Sequence, residues 1–231
     1  MAILARHRRL THLPTWQSKR EAGKTRGSLI NGKTADGLPA ASLPTLVSLV
    51  GADSTDIRAA MAHDSSIKKF ALLDRDGTII VDKFYLQDPD LIEFAPGAIE
   101  GLQLLRDSGF QLLLVTNQSG IARGYFDEAC LSRVHERLKA LLARHGIKLA
   151  EIYYCPHGPG DGCQCRKPAT GMVKQAMADF GFSANQAVLI GDSIVDMQLA
   201  TATGIRGIQI GSEPGCVRNF RMAAERVVGF F

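Results

Sequence analysis

The stretch Lys68-Lys69-Phe70-Ala71-Leu72-Leu73-Asp74-Arg75-Asp76-Gly77-Thr78 decides how the chain is read. Its apolar first half predicts a buried β-strand. Two carboxylates one residue apart then leave the strand's carboxyl end, and Gly77 permits a tight turn. In an open α/β sheet that edge is where ligands bind. The pair suits phosphoryl transfer, one carboxylate attacking phosphorus and the other moving the proton. Taken alone, D-x-D-G-T also fits a plain loop or a calcium site.

The pattern repeats downstream. A second apolar strand, Gln111 to Val115, ends in Thr116-Asn117-Gln118-Ser119-Gly120. Cys165-Arg166-Lys167-Pro168 follows, and then Ala187 to Ile190 leading into Gly191-Asp192-Ser193-Ile194-Val195-Asp196. Between these, helical patterns are expected over Pro96–Ser108, Asp127–His145, Gly171–Phe180 and about Ile194–Thr203, with further strands at Leu149–Tyr154 and Arg206–Ile210. Strand–helix alternation predicts a mainly parallel sheet covered on both faces, a three-layer α/β sandwich. Only 39 residues separate Asp76 from Thr116, and 49 separate Asn117 from Lys167. Neither gap accommodates a large cap domain, so loops should shape an open site.

Cys155-Pro156-His157 and Cys163-Gln164-Cys165 form a C-x-H…C-x-C set within one Gly/Pro-rich loop. Three thiolates and one imidazole match a closed tetrahedral zinc site, with no open position for a reacting water. The expectation is structural Zn²⁺, fixing the adjacent Arg166-Lys167. Such clustering also favours a reducing, cytoplasmic setting over disulfides.

Composition narrows the class. The 231 residues suffice for one sizeable core, and 45% hydrophobic content with mean hydropathy near zero is ordinary for a globular protein. No apolar run reaches membrane-helix length. The net charge of +4 is uneven: residues 1–35 hold eight Lys/Arg against Glu21, which leaves the remainder slightly acidic. Nucleic acid is therefore not expected as an obligate partner, nor is a membrane. Residues 1–66 show little sustained periodicity, with one weak helical stretch at Thr55–Ala62, and are expected to be a basic, mostly disordered extension ahead of a catalytic domain over 67–231. A dispensable tail before an alternative start at Met61, an organellar targeting stretch, and a functional basic arm are its three readings. On the long helix, His135 and His145 are expected at the surface and Cys130 in packing. Cys216 and the Phe230-Phe231 end carry no readable signal.

The four strand-end motifs together resemble the haloacid dehalogenase superfamily of phosphohydrolases, over roughly residues 68–212. T-N-Q-S-G-I-A-R-G, Y-Y-C-P-H and C-x-C-R-K-P sharpen this to the branch of bacterial D-glycero-D-manno-heptose 1,7-bisphosphate 7-phosphatases, with histidinol-phosphate phosphatases as close relatives. The resemblance implies a Rossmann-like fold and an Mg²⁺-dependent phosphatase acting on a small phosphorylated sugar through an aspartyl-phosphate, as a monomer. It implies Asp74 as nucleophile and Asp76 as acid–base. Thr116 and Lys167 would hold phosphoryl oxygens. Mg²⁺ would lie on Asp74, Asp192 and the carbonyl of Asp76, with Asp196 in support. Asp82, Lys83, Phe84, Tyr85, Asn117, Gln118 and Ser119 would meet substrate, and Arg166 a distal phosphate. Two departures concern sugar specificity: Ser193 stands where the family often has lysine, and Gly158–Gly162 is short. The competing readings are histidinol-phosphate hydrolysis, DNA 3′-phosphatase action, and a zinc-stabilised nucleic-acid binder using the basic tail.

Deleting residues 1–60 should leave turnover within a few-fold of the full chain, because a segment without periodic apolar positions contributes little buried area. An insoluble or inactive truncated protein would contradict this.

Overall fold

Five parallel strands form one sheet in the order β3-β2-β1-β4-β5. They are β1 Lys69–Leu73, β2 Phe110–Asn117, β3 Leu149–Cys155, β4 Ala187–Gly191 and β5 Arg206–Gln209. The architecture comes from a computed structural model that describes residues 68–231. The expected extension over 1–66, with its boundary, lies outside the described residues. The helices are α1 Ala98–Asp107, α2 Glu128–Ala143, α3 Gly171–Phe180, α4 Ile194–Thr203 and α5 Phe220–Val228.

Strand alternation sorts the core. Ala71 and Leu73 point to one face with Leu112, Leu114, Val188 and Ile190, and there meet α1, α2 and α5. Phe70 and Leu72 point to the other with Leu113, Val115 and Leu189, and meet α3 and α4. On that second face Phe70 stacks on Phe182 with centroids 4.2 Å apart. The central strands β1, β2 and β4 are buried on both sides, as a sheet sandwiched between helix layers requires, while the edge strands β3 and β5 are partly exposed. The expected three-layer α/β sandwich is the observed one.

The chain runs outward from β1 to β3, then returns to place β4 against β1's other edge. That reversal opens a crevice at the strands' carboxyl ends, and the motif residues emerge there. No cap domain interrupts the described residues. The segment after Asp76 folds back as a short loop, closed by Val81 N–H donating to Glu93 and Ala95 N–H to Ile79, each at 2.9 Å.

α5 was not expected, since the carboxyl-terminal residues carried no recognised signal. Its logic is nonetheless local. Asn219 caps the helix by accepting from Met222 N–H at 3.0 Å. Phe220, Ala223, Ala224 and Val227 then form a buried stripe against α1. Phe220→Ala should lower the unfolding free energy by about 3–5 kcal/mol. Urea titration measures this, and a loss under about 1 kcal/mol would contradict the role given to α5.

Candidate active site and metal centres

The centre of the crevice is Lys167. Its ammonium is almost wholly buried and lies 2.6 Å from Asp74 Oδ1 and 2.7 Å from Asp196 Oδ1. Burial opposes its charge, but the two carboxylates more than compensate and push its pKa up. Neighbouring backbone fixes the stem. The Asn117 side chain, at the end of β2, accepts from Lys167 N–H at 3.0 Å and donates to the Lys167 carbonyl at 3.2 Å. Asp196 is held in turn by Ser193, whose hydroxyl donates to Asp196 Oδ2 at 2.6 Å. Ser193 also caps α4, so one serine serves helix and site together.

Asp74 sits directly after β1 with 12% of its side chain exposed. Burial raises its pKa, Lys167 opposes, and Asp196 and Asp76 add to the rise, leaving it pushed up to about 7. Asp192 is also pushed up, by burial first and then by Asp196. Donor oxygens of Asp74, Asp192 and Asp196 all lie within 4.8 Å of one another. Three carboxylates against one ammonium leave two negative charges uncompensated, and a hard divalent cation with oxygen ligands fits that deficit. The Asp76 carboxylate is engaged elsewhere, with Arg75 Nη2 2.9 Å from its Oδ2, which agrees with the expectation that only its backbone carbonyl would join them. Any part it takes in a cation site therefore falls to its backbone carbonyl, while Asp196 supplies a third carboxylate.

Gly77 makes the turn with φ 77°, and a Cβ there would overlap the Asp192 carboxylate. The close approach of β1's exit loop to β4's thus requires glycine.

Thr116 is buried beside these groups, its hydroxyl accepting from Gln118 Nε2 at 2.9 Å. Gln118 also donates to Asp76 Oδ2 at 3.0 Å and accepts from Arg75 Nη2 at 3.0 Å. Asn117 and Gln118 were expected to offer donors to substrate hydroxyls; the structure engages both amides with the site's own residues. Ser119 stays partly exposed. In the first loop Asp82 accepts from Phe84 N–H at 2.8 Å, and Lys83 pairs with Glu93 at 2.6 Å. Phe84 and Tyr85 adopt positive φ values of 51° and 67°. For aromatic residues that is a strained backbone of the kind held at functional loops. Tyr85 meets Tyr125 at 4.7 Å, with the Arg123 guanidinium 5.9 Å from the Tyr85 ring. Arg123 and Tyr125 were not singled out from sequence.

The Cys/His loop closes on itself beyond β3. His157 Nδ1 lies 3.5 Å from Cys155 Sγ and 3.2 Å from Cys165 Sγ, and Cys155 Sγ lies 3.6 and 3.3 Å from the Cys163 and Cys165 sulfurs. A tetrahedron with ~2.3 Å metal–sulfur and ~2.0 Å metal–nitrogen bonds has edges of about 3.5–3.8 Å, so the donor set fits a four-coordinate ion. Burial drives the Cys155 thiol pKa up, which only a bound cation would reverse. Arg166 Nη1 donates to the His157 carbonyl at 3.1 Å, tying the loop to the segment that carries Lys167.

His135 contradicts its expected surface position. It is buried, with Nε2 3.2 Å from Arg75 Nη1 and its ring edge-on to Tyr154. His145 is exposed as expected.

Comparison with known proteins agrees with this geometry. A HAD-hydrolase-like family model matches residues 164–215. The chain is 45% identical over 137 residues to the D-glycero-β-D-manno-heptose-1,7-bisphosphate 7-phosphatase of Pasteurella multocida, covering 57% of this chain and 74% of that one. It is 40% identical over 149 residues to the Pseudomonas aeruginosa enzyme of the same name, covering 64% and 84%. The crystal structure of a D,D-heptose 1,7-bisphosphate phosphatase from B. bronchiseptica, complexed with magnesium and phosphate, superposes with a TM-score of 0.64 at 31% identity, covering 71% of this chain and 99% of that one. The chain belongs to the haloacid dehalogenase superfamily, in its branch of D-glycero-D-manno-heptose 1,7-bisphosphate 7-phosphatases.

Proposed function

We propose that the chain hydrolyses the 7-phosphate of D-glycero-D-manno-heptose 1,7-bisphosphate, on the route to nucleotide-activated heptose for lipopolysaccharide. The observation that carries this reading is the Lys167 ammonium held 2.6 Å from Asp74, in a chain 45% identical to a phosphatase of that name.

Asp74 attacks phosphorus in line, forming an oxygen–phosphorus bond as the ester oxygen leaves. Asp76 gives its proton to the departing alkoxide. It then takes a proton from the water that attacks the aspartyl-phosphate, and Asp74 is released with inorganic phosphate. Lys167 and the Thr116 hydroxyl hold the oxygens on which charge accumulates. Asp74, Asp192, the Asp76 carbonyl and Asp196 would hold magnesium, which would supply the positive charge that lets a carboxylate approach a phosphate dianion. Cys155, His157, Cys163 and Cys165 would hold zinc, which would stiffen the loop that presents Arg166 and Lys167. Asp82, Lys83, Phe84 and Tyr85 face the sugar with Ser119, and Arg166 receives the distal phosphate bidentately. Asn117 and Gln118 serve the substrate by holding Lys167 and Asp76. Reduced thiols at a metal site suit a cytoplasmic enzyme, and among the described residues no helix is long and apolar enough to cross a membrane. The catalytic unit is read as a monomeric domain over residues 67–231, without nucleic acid as partner.

Phosphate release with Mg²⁺ over heptose 1,7-bisphosphate, heptose 7-phosphate and histidinol phosphate tests the reading. The bisphosphate should have the highest kcat/KM, and preference for histidinol phosphate would overturn it. Protein purified without chelator should carry about one zinc per chain, lost in Cys163→Ser together with stability. Elemental analysis finding no zinc in the unsubstituted protein would end that part of the account.

A further inference from the structure

Arg75, the residue between the two motif acids, is 1% exposed and contacts three side chains. Its Nε lies 3.2 and 3.1 Å, and its Nη2 3.0 and 2.9 Å, from Oδ1 and Oδ2 of Asp76, Nη2 reaches Gln118 Oε1 at 3.0 Å, and Nη1 reaches His135 Nε2 at 3.2 Å. A guanidinium only donates, so Nε2 of His135 is the acceptor and the ring is the neutral tautomer with its proton on Nδ1. Burial, Arg75 and then Lys139 all favour that neutral form, pushing its pKa down to about 3. The ring is fixed edge-on to Tyr154 with centroids 5.9 Å apart. Position 135 lies on the buried stripe of α2 beside Leu131, Val134 and Leu138, where a leucine would pack without a polar atom to satisfy. An imidazole there is costly unless its nitrogen is used.

We propose that His135 is a positioning residue for the acid–base Asp76, acting through Arg75. The imidazole anchors one arm of the guanidinium, which leaves the other arm and Nε to hold both carboxylate oxygens. Gln118 closes the same cluster from β2's exit. Asp76 has to donate and then accept a proton at one place in each turnover, and the fork defines that place. The anchor comes from a helix 60 residues further along the chain, so acid–base geometry is tied to the packing of α2 on the sheet.

The inference rests on Asp76 being the acid–base of a phosphatase, and one experiment separates the two claims. kcat/KM is measured with Mg²⁺ across phosphate monoesters, from a sugar phosphate with a basic leaving group to p-nitrophenyl phosphate, whose leaving group needs no protonation. Asp76→Asn sets the reference, a loss of about 100-fold or more confined to the basic leaving groups. His135→Leu should give the same selective pattern at about 10-fold to 100-fold, with little loss on p-nitrophenyl phosphate. His135→Gln, whose carbonyl can accept from Arg75, should recover most of it. Arg75→Lys, which keeps the charge but cannot fork, should reproduce the selective loss and stands in if the leucine variant does not fold. Equal losses on every ester, or none, in the His135 or Arg75 variants would overturn the positioning role. If Asp76→Asn itself shows no leaving-group dependence, the acid–base assignment fails instead.

Discussion

A buried ammonium shared by two carboxylates is the constraint around which this structure is organised. Lys167 reaches Asp74 at the end of β1 and Asp196 in the first turn of α4, so one cation joins two arms of the crevice. A charge so enclosed is tolerable only when paired and hydrogen-bonded. Three further features serve that pairing: Asn117 clamps the Lys167 backbone from β2, Ser193 orients Asp196, and the Cys/His loop stiffens the approach to Arg166. The surplus of negative charge that remains fits a divalent cation, which would also let an anionic phosphate approach. The Asp76 carboxylate stands apart from these, paired with Arg75.

The fold supplies the place where the motif residues meet. A parallel sheet whose strand order reverses beside β1 brings four strand ends into one crevice. No cap domain covers it among the described residues, and the strained Phe84–Tyr85 turn is packed against Tyr125. The Cys/His loop holds six Gly or Pro residues from Pro156 to Pro168 inclusive and little apolar material for a core of its own, so a bound ion would take the place of packing there.

Much of this was legible in the sequence because the relevant signals are local. β1 ends where its apolar run meets Asp74, and Gly181 and Gly204 close α3 and α4 in left-handed conformations. Asn219 and the Phe220, Ala223, Ala224, Val227 spacing were equally local signals, although they were not read as a helix. His135 was misread as a surface residue although it falls four positions after Leu131, on the helix's apolar side; a polar residue on that side is the sign of a buried partner. The partners themselves were not legible. Asn117 to Lys167 and Arg75 to His135 are contacts across 50 and 60 residues, created by strand order rather than by any nearby pattern.

The most direct test of the central claim is to find where the phosphoryl group rests during turnover. Protein mixed with phosphate-labelled heptose bisphosphate and Mg²⁺ is quenched in acid, reduced with borohydride, and mapped by peptide mass spectrometry. The account predicts an acyl-phosphate whose reduction converts Asp74 alone to homoserine, and none in Asp74→Asn. Label on another side chain, or full turnover by Asp74→Asn, would contradict it.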